Sequence, residues 1–504
     1  MPPSASHRAV RDADPARLAW LLPVAMAAVA TAPILRNFFF HDDFFNLYQV
    51  VNDQPWWRFL LRMHGGHLLM TRNAVFILCY DVFGSDPRPY FALVLLTHLV
   101  NVALVYRIAR SLTGGWRLAC VAAGLWGIAP ANLGTLGWYS VYGQVLATTA
   151  ALWVLSRVAA CATGAQPRPA APLAWALVLM SGSTCFGVGI GFALVMPAIA
   201  WLLLPPSPLR RRTLLALGTV AVAMPIIYDV AYHLDVALNA APPTTSLLLG
   251  RAMYFGEHGR VLAALLAQGS ANVLFNGIAA PAWLAAALVL GAALYAGRLA
   301  GRRLWRPLLA CALFAIGSYA VIAAGRSFLA TASVDVVATA DRYHYAGMIG
   351  VVLFAAVALA ELGGGWSAAP RLQDGALLAW AVAATALVMT LRLPIDHHDE
   401  TRAETNQVLE DIHRQISAAP AGSEVHIANR VFQSVGILIS VTPALYPGTA
   451  AVFAVFEPSD LVDGRQVVFT TADAAVAAAA RDGRRSGALV RLTPPSPDTT
   501  KAAP

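Results

Sequence analysis

The chain has 504 residues, 58% of them hydrophobic and only 12% charged, with a mean hydropathy of +0.61. The apolar excess recurs in blocks of about 18 to 22 residues without the period-two alternation of barrel strands, so it is the composition of a polytopic helical membrane protein. The net charge of +8 does not imply a nucleic-acid partner, because it reflects arginines in the loops between these blocks, and the five cysteines show neither a disulfide framework nor metal-type spacing.

In chain order, the apolar blocks fall at about 18–36, 90–110, 117–133, 137–156, 172–187, 189–204, 212–232, 281–298, 307–325, 343–361 and 376–392. The expected fold is therefore an all-α polytopic membrane bundle of about eleven transmembrane helices. The first block exceeds a usual signal-peptide core, and no cleavage site precedes Arg36-Asn-Phe, so it is read as a retained helix. Arg8, Arg11 and Arg17 precede it, which makes 1–17 a cytoplasmic segment. Arg107, Arg110 and Arg117, then Arg157 and Arg168, Arg210 to Arg212, Arg298 to Arg306, and Arg371 mark the later cytoplasmic turns.

The transmembrane domain so defined, 18–393, carries three long outward connections, 37–89, 233–280 and 326–342. Within the first, Trp56-Trp-Arg-Phe-Leu-Leu-Arg-Met63 reads as a short interfacial helix. From Pro394 the composition is that of a soluble domain, with an amphipathic helix over 399–418 and strands at 424–429, 450–456 and 466–470. A small extracytoplasmic α/β domain is expected over 394–492, followed by a disordered tail over 493–504, rich in Pro, Thr and Ser.

Asp42 and Asp43, flanked by Phe38 to Phe40 and Phe44-Phe45, are the foremost chemical candidates. A carboxylate at the membrane's outer edge is costly unless it is solvated, paired or used, and apolar neighbours move it toward the range of a general base. Neighbouring side chains point in different directions, so one would be the base, with Asp42 preferred, while the other caps or orients. Arg58, Arg62, Arg72 and Arg88 in the first connection, with Arg326 and Arg342 around a later one, run against the positive-inside tendency and suggest anion binding. In Arg342-Tyr-His-Tyr345, Arg342 and Tyr343 fit either an interfacial anchor or a clamp for a lipid phosphate. His64-Gly-Gly-His67 would need further ligands, such as Asp42 and Asp43, to hold a divalent metal; loop polar groups are the commoner outcome and no cofactor is expected. Trp138 and Tyr142 fit either a sugar-stacking mouth or an aromatic belt. A sugar on a polyprenyl phosphate already has a good leaving group. One carboxylate for the acceptor hydroxyl and cations for the departing phosphate would then be sufficient.

Asp42-Asp43 after the first span, His67 and Arg72 downstream, Val82-Phe-Gly-Ser-Asp-Pro-Arg-Pro-Tyr90 leading to His98, Pro130 with Trp138-Tyr-Ser140, and Asp341-Arg-Tyr-His-Tyr345 recur in this order. In these elements, over roughly 35–350, the chain resembles the GT-C superfamily of integral membrane glycosyltransferases, and within it the protein O-mannosyltransferase-related branch. The resemblance implies a GT-C-like bundle, an acid of the first loop as base, a polyprenyl-phosphate-linked sugar donor used on the outer face, and Arg342 near the donor phosphate. Arg326, Arg72 and Tyr343 join Arg342 as phosphate-site candidates, and His67, Trp138, Tyr142 and His344 are candidates for sugar or acceptor contact. Two elements depart from the pattern: Gly134 stands where relatives often carry Glu, and Ser181-Gly-Ser183 replaces a Ser-Lys-Glu-like element.

The expected function is an inverting glycosyltransferase of a bacterial plasma membrane, moving a sugar to a lipid, glycan or protein acceptor. A lipid-linked saccharide transporter, or a surface polysaccharide polymerase or ligase, is the alternative. A transporter should place ionisable groups in mid-span and interrupt its helices, whereas here the ionisable groups concentrate in the outward loops.

Overall fold

The computed structural model describes residues 18–37, 39, 43, 46, 50, 56–64, 66–84, 86–239, 255–276, 278, 281–300, 302–331, 333–362, 370–392, 424–428, 460–462, 465–470 and 488–491. In chain order the helices are α1 (Leu21–Thr31), α2 (Trp57–Leu61), α3 (Met70–Phe83), α4 (Pro87–Thr113), α5 (Trp116–Gly127), α6 (Leu133–Leu136), α7 (Tyr142–Ala162), α8 (Ala171–Ser183), α9 (Gly187–Leu203) and α10 (Pro208–Asn239). They continue with α11 (Phe255–Leu274), α12 (Ala282–Ala300), α13 (Arg302–Arg326), α14 (Asp335–Ala338), α15 (Gly347–Leu362) and α16 (Pro370–Arg392). A hairpin, β1 (Met63–His64) and β2 (His67–Leu68), lies between α2 and α3.

Among the described residues, five segments are long and apolar enough to cross a membrane: Pro87–Thr113, Tyr139–Ala162, Pro208–Leu234, Leu304–Arg326 and Leu372–Thr390. The pair Trp116–Gly127 and Pro130–Leu136, bent by 52°, makes a sixth if counted as one span. Shorter apolar helices occupy Leu21–Arg36, Ala171–Ser183, Gly187–Leu203, Ala282–Arg298 and Gly347–Leu362. On α10 the exposed residues Val222, Ile226 and Val230 recur every fourth position, a stripe of apolar surface that hydrocarbon, not water, would accommodate. The connection expected over 233–280 contains α11, and the one over 37–89 contains α2, the hairpin and α3.

The chain divides into two compact units. The first comprises Met1–Ala32, Leu95–Thr135 and Gln144–Leu393. In its core, glycines let helices approach backbone to backbone: a Cβ on Gly191 would meet the Gly317 carbonyl, and one on Gly350 would meet Ala315. The bend after α5 has a local cause. Pro130 disfavours the helical region for the residue before it, and Ala129 is extended at φ −56°, ψ 126°. The carbonyls this break releases are taken up by side chains, Trp126 O by Asn132 Nδ2 at 2.6 Å and Gly127 O by His98 Nε2 at 3.0 Å.

The second unit comprises Pro33–Val94, Leu136–Gly143 and Pro394–Pro504. Around Tyr139 its rings meet edge to face, with Tyr90 at 4.9 Å and Phe76 at 5.2 Å between centroids, while Tyr142 stacks at 5.3 Å. Phe39, one of the phenylalanines of the acidic run, is buried 5.2 Å from Tyr90. Towards the C-terminus, β3 (Glu424–Ala428), β4 (Asp460–Val462), β5 (Arg465–Thr470) and β6 (Ala488–Arg491) form one sheet in the order β4-β5-β3-β6. Strand β3 runs parallel to β5 and β6, and β4 antiparallel to β5. The helix expected over 399–418, the strand over 450–456 and the tail over 493–504 lie outside the described residues, as does the segment 1–17.

Candidate functional site

The sequence-predicted residues fall into two groups, one in each unit. In the second unit, Trp138 is extended, a 3₁₀ turn follows over Tyr139–Val141, and α7 begins at Tyr142. The backbone N–H of Ser140 thus stands in the approach to a helix N-terminus, where such donors lack intrahelical partners and anions are favoured. Asp43 fills that role. Its Oδ1 accepts from Ser140 N at 2.5 Å and from Ser140 Oγ at 2.6 Å.

The bonds continue beyond Ser140. Its Oγ accepts from Asn46 Nδ2 at 2.8 Å, and Asn46 Oδ1 accepts from Arg72 Nη1 at 2.8 Å. Every donor in this series points the same way, from the Arg72 cation to the Asp43 carboxylate. All four side chains are buried, Asp43 completely and Arg72 to 1% exposure. The Arg72 guanidinium also lies 5.8 Å from the Phe76 ring centre, against the same aromatic cluster that encloses Tyr139. A buried carboxylate and a buried guanidinium are each expensive to desolvate, and the neutral Asn46–Ser140 bridge links them where no contact between aliphatic groups would serve. Next to them, Asn73 Nδ2 donates to Phe59 O at 2.7 Å, which ties α3 to α2.

Asp42 lies outside the described residues, so the acidic pair is seen through Asp43 alone. Arg72, a phosphate-site candidate, is buried, with Nη1 on Asn46 Oδ1. Tyr142 is likewise buried, stacked on Tyr139, while Trp138 and His67 are half-buried. His67 sits opposite His64 in the register of the hairpin, whose turn uses Gly66 at φ +78°. Among the described residues, no three His, Cys, Asp or Glu side chains gather as a metal site.

In the first unit, Arg342 and Tyr343 lie in a 3₁₀ turn, Asp341–Tyr343, ahead of α15. The Arg342 guanidinium, half-buried, rests 4.8 Å from the Tyr343 ring centre, and the Arg342 carbonyl accepts from Thr135 Oγ1 at 3.1 Å. Gly134 has a clear steric reason. A Cβ there would stand 2.7 Å from both Arg342 N and Asp341 Cβ, so the turn that carries Arg342 occupies the space a glutamate would need. Arg326 ends α13, half-buried.

His344 is consumed internally. Its Nε2 donates to Ala338 O at 2.6 Å, and its Nδ1 accepts from Tyr319 Oη at 3.0 Å, which fixes one neutral tautomer. It precedes α15.

A third polar cluster, also in the first unit, joins His98 and Tyr345, which stand in the sequence motifs, to Asn101 and Trp126, which do not. Tyr345 Oη donates to His98 Nδ1 at 3.0 Å and accepts from Asn101 Nδ2 at 3.1 Å, and Trp126 Nε1 donates to Tyr345 O at 3.0 Å. Tyr345 therefore ties α4 and the broken helix to the turn bearing Arg342. Asn46 and Asn101 gave only a faint sequence signal as polar residues among apolar ones, while Ser140 and Tyr345 ended two of the motifs without a role of their own.

No family model matches the chain, and no curated protein sequence does. Among solved structures it aligns with the archaeal oligosaccharyltransferase AglB from Archaeoglobus fulgidus, in complex with an inhibitory peptide and a dolichol-phosphate, at 13% identity and a TM-score of 0.45. The alignment covers 85% of this chain but only 64% of that one, a similarity too distant to carry fold or function across.

Proposed function

We propose that the chain is an inverting GT-C-type glycosyltransferase that moves a sugar from a polyprenyl-phosphate donor to a lipid, glycan or protein hydroxyl at the outer face of a bacterial plasma membrane. The observation that carries this is the buried series Arg72–Asn46–Ser140–Asp43, which anchors the acidic run to the 3₁₀ turn ahead of α7. A bundle that needed only to fold would gain nothing from two desolvated charges there. The resemblance of the motifs from Asp42 to Tyr345 supports the same chemistry.

In this account Asp43 orients and Asp42 is the base. Asp42 takes the proton of the acceptor hydroxyl as its oxygen attacks the anomeric carbon, and the bond from that carbon to the phosphate oxygen breaks with its electron pair leaving on the phosphate. Arg342, beside Tyr343, and Arg326 hold the departing phosphate, whose low basicity makes a general acid unnecessary. Trp138 and His67 are the remaining candidates to contact sugar or acceptor. One displacement inverts the anomeric centre. In this account the five shorter apolar helices also cross, with the five long ones and the bent pair, and 1–17 is cytoplasmic and 394–492 an extracytoplasmic domain.

A transporter of lipid-linked saccharides is the second account, favoured by the bend at Ala129–Pro130 and the buried His98–Tyr345–Asn101 cluster, because interrupted helices and polar groups within spans mark translocation paths. Purified protein incubated with a panel of radiolabelled polyprenyl-phosphate hexoses and a crude acceptor fraction separates the two. A glycosyltransferase releases polyprenyl phosphate and labels the acceptor. Intact donor that crosses a vesicle bilayer without being consumed would establish the transporter instead.

A further inference from the structure

We propose that Asn46 and Ser140 are positioning residues, which carry the charge of Arg72 to Asp43 and thereby set the orientation of the Asp43 carboxylate. The inference rests on the glycosyltransferase role proposed for Asp42 and Asp43. It assigns work to two uncharged side chains, of which Asn46 lies in no motif, and it gives Arg72 a role within the protein.

The geometry leaves each member one consistent role. Arg72 can only donate, and it is always ionised, so the Asn46 atom it reaches at 2.8 Å must be the amide oxygen. That fixes the Asn46 amide, whose Nδ2 then faces Ser140 Oγ at 2.8 Å. With that hydroxyl accepting from Asn46, its own proton is directed to Asp43 Oδ1 at 2.6 Å. The backbone N–H of Ser140 converges on the same oxygen at 2.5 Å. Each bond polarises the next, and burial keeps water from competing with any of them. The residues come from three separate stretches, α3, the acidic run and the turn before α7, so the series also locks their relative placement within the second unit. Both Ser140 donors end on Oδ1, which holds the Asp43 carboxylate by that oxygen at the turn before α7.

A purely structural Ser140 and a positioning Ser140 differ in what their loss changes. Ser140→Ala keeps the backbone donor and removes the hydroxyl link, while Ser140→Thr keeps both. With purified full-length protein and whichever radiolabelled polyprenyl-phosphate hexose the wild type consumes, Ser140→Ala and Asn46→Leu should each lower kcat about tenfold to a hundredfold, with donor KM nearly unchanged. Ser140→Thr should restore most of that rate. Unfolding in mixed micelles supplies a second readout free of turnover: the effects of Ser140→Ala and Asp43→Asn should be markedly less than additive when combined. Wild-type kcat in Ser140→Ala, a rise in KM at constant kcat, failure of Ser140→Thr to rescue, or additive unfolding effects would each overturn the inference. Absence of transfer by the wild type would instead defeat the glycosyltransferase role, and it is seen before any variant is compared.

Discussion

Asp42→Asn is expected to lower kcat for sugar transfer by about 10²- to 10⁴-fold, the contribution of a positioned general base. Donor KM should change little, because the amide is isosteric and the missing function is exercised only as the acceptor loses its proton. Asp43→Asn should behave differently. Its amide can still offer one oxygen to the Ser140 donors at 2.5 and 2.6 Å, but the full charge that receives the Arg72 series is gone. A smaller loss of kcat, accompanied by a measurable loss of stability, is expected from it. Single-turnover transfer with matched unfolding curves distinguishes the pair, and an Asp43→Asn variant of native stability that is the slower of the two would reverse the assignment.

The second large effect belongs to Arg72. Its side chain is 1% exposed, bonded to Asn46 and set against Phe76. Arg72→Met keeps much of the volume and removes the cation. Asn46 Oδ1 then loses the donor Nη1, and the series loses its cation. Leaving a buried acceptor without its donor typically costs about 1–3 kcal/mol. Denaturant titration in mixed micelles should therefore show Arg72→Met destabilised by about that amount. Arg72→Met combined with Asp43→Asn should be less destabilised than the sum of the two.

Different parts of this molecule were legible in the sequence to different degrees, for identifiable reasons. The spans over α4, α7, α10, α13 and α16 were plain, because a crossing helix needs some twenty consecutive apolar residues and little else produces them. The break at Pro130 was not read, because the apolar run over 117–133 continues through it, and neither was the hairpin at His64–His67, although both follow from local backbone sterics. Helix α11 was missed within a connection. Glu257, His258 and Arg260 dilute its apolar face, and its burial at Val261 and Leu265 comes from tertiary packing with Tyr319 and Tyr343. The acidic pair was found from its surroundings, yet its partners were not: Ser140 lies 97 positions from Asp43, and Asn46 lies 26 from Arg72. Side-chain hydrogen bonds across such separations leave no periodicity to detect. For the same reason the sequence, which marks Arg72 as a phosphate-site candidate and His344 as a candidate for sugar or acceptor contact, gives no sign of their bonds to Asn46, Ala338 and Tyr319.

The most direct test is the anomeric configuration of the product. A single turnover of a polyprenyl-phosphate hexose of defined anomeric linkage, carbon-13 labelled at the anomeric position, can be followed by NMR with the purified protein. One displacement assisted by a single carboxylate base predicts a fully inverted linkage on the acceptor, formed by the wild type and not by Asp42→Asn. Retention of configuration, or transfer that survives Asp42→Asn and Asp43→Asn alike, would contradict it.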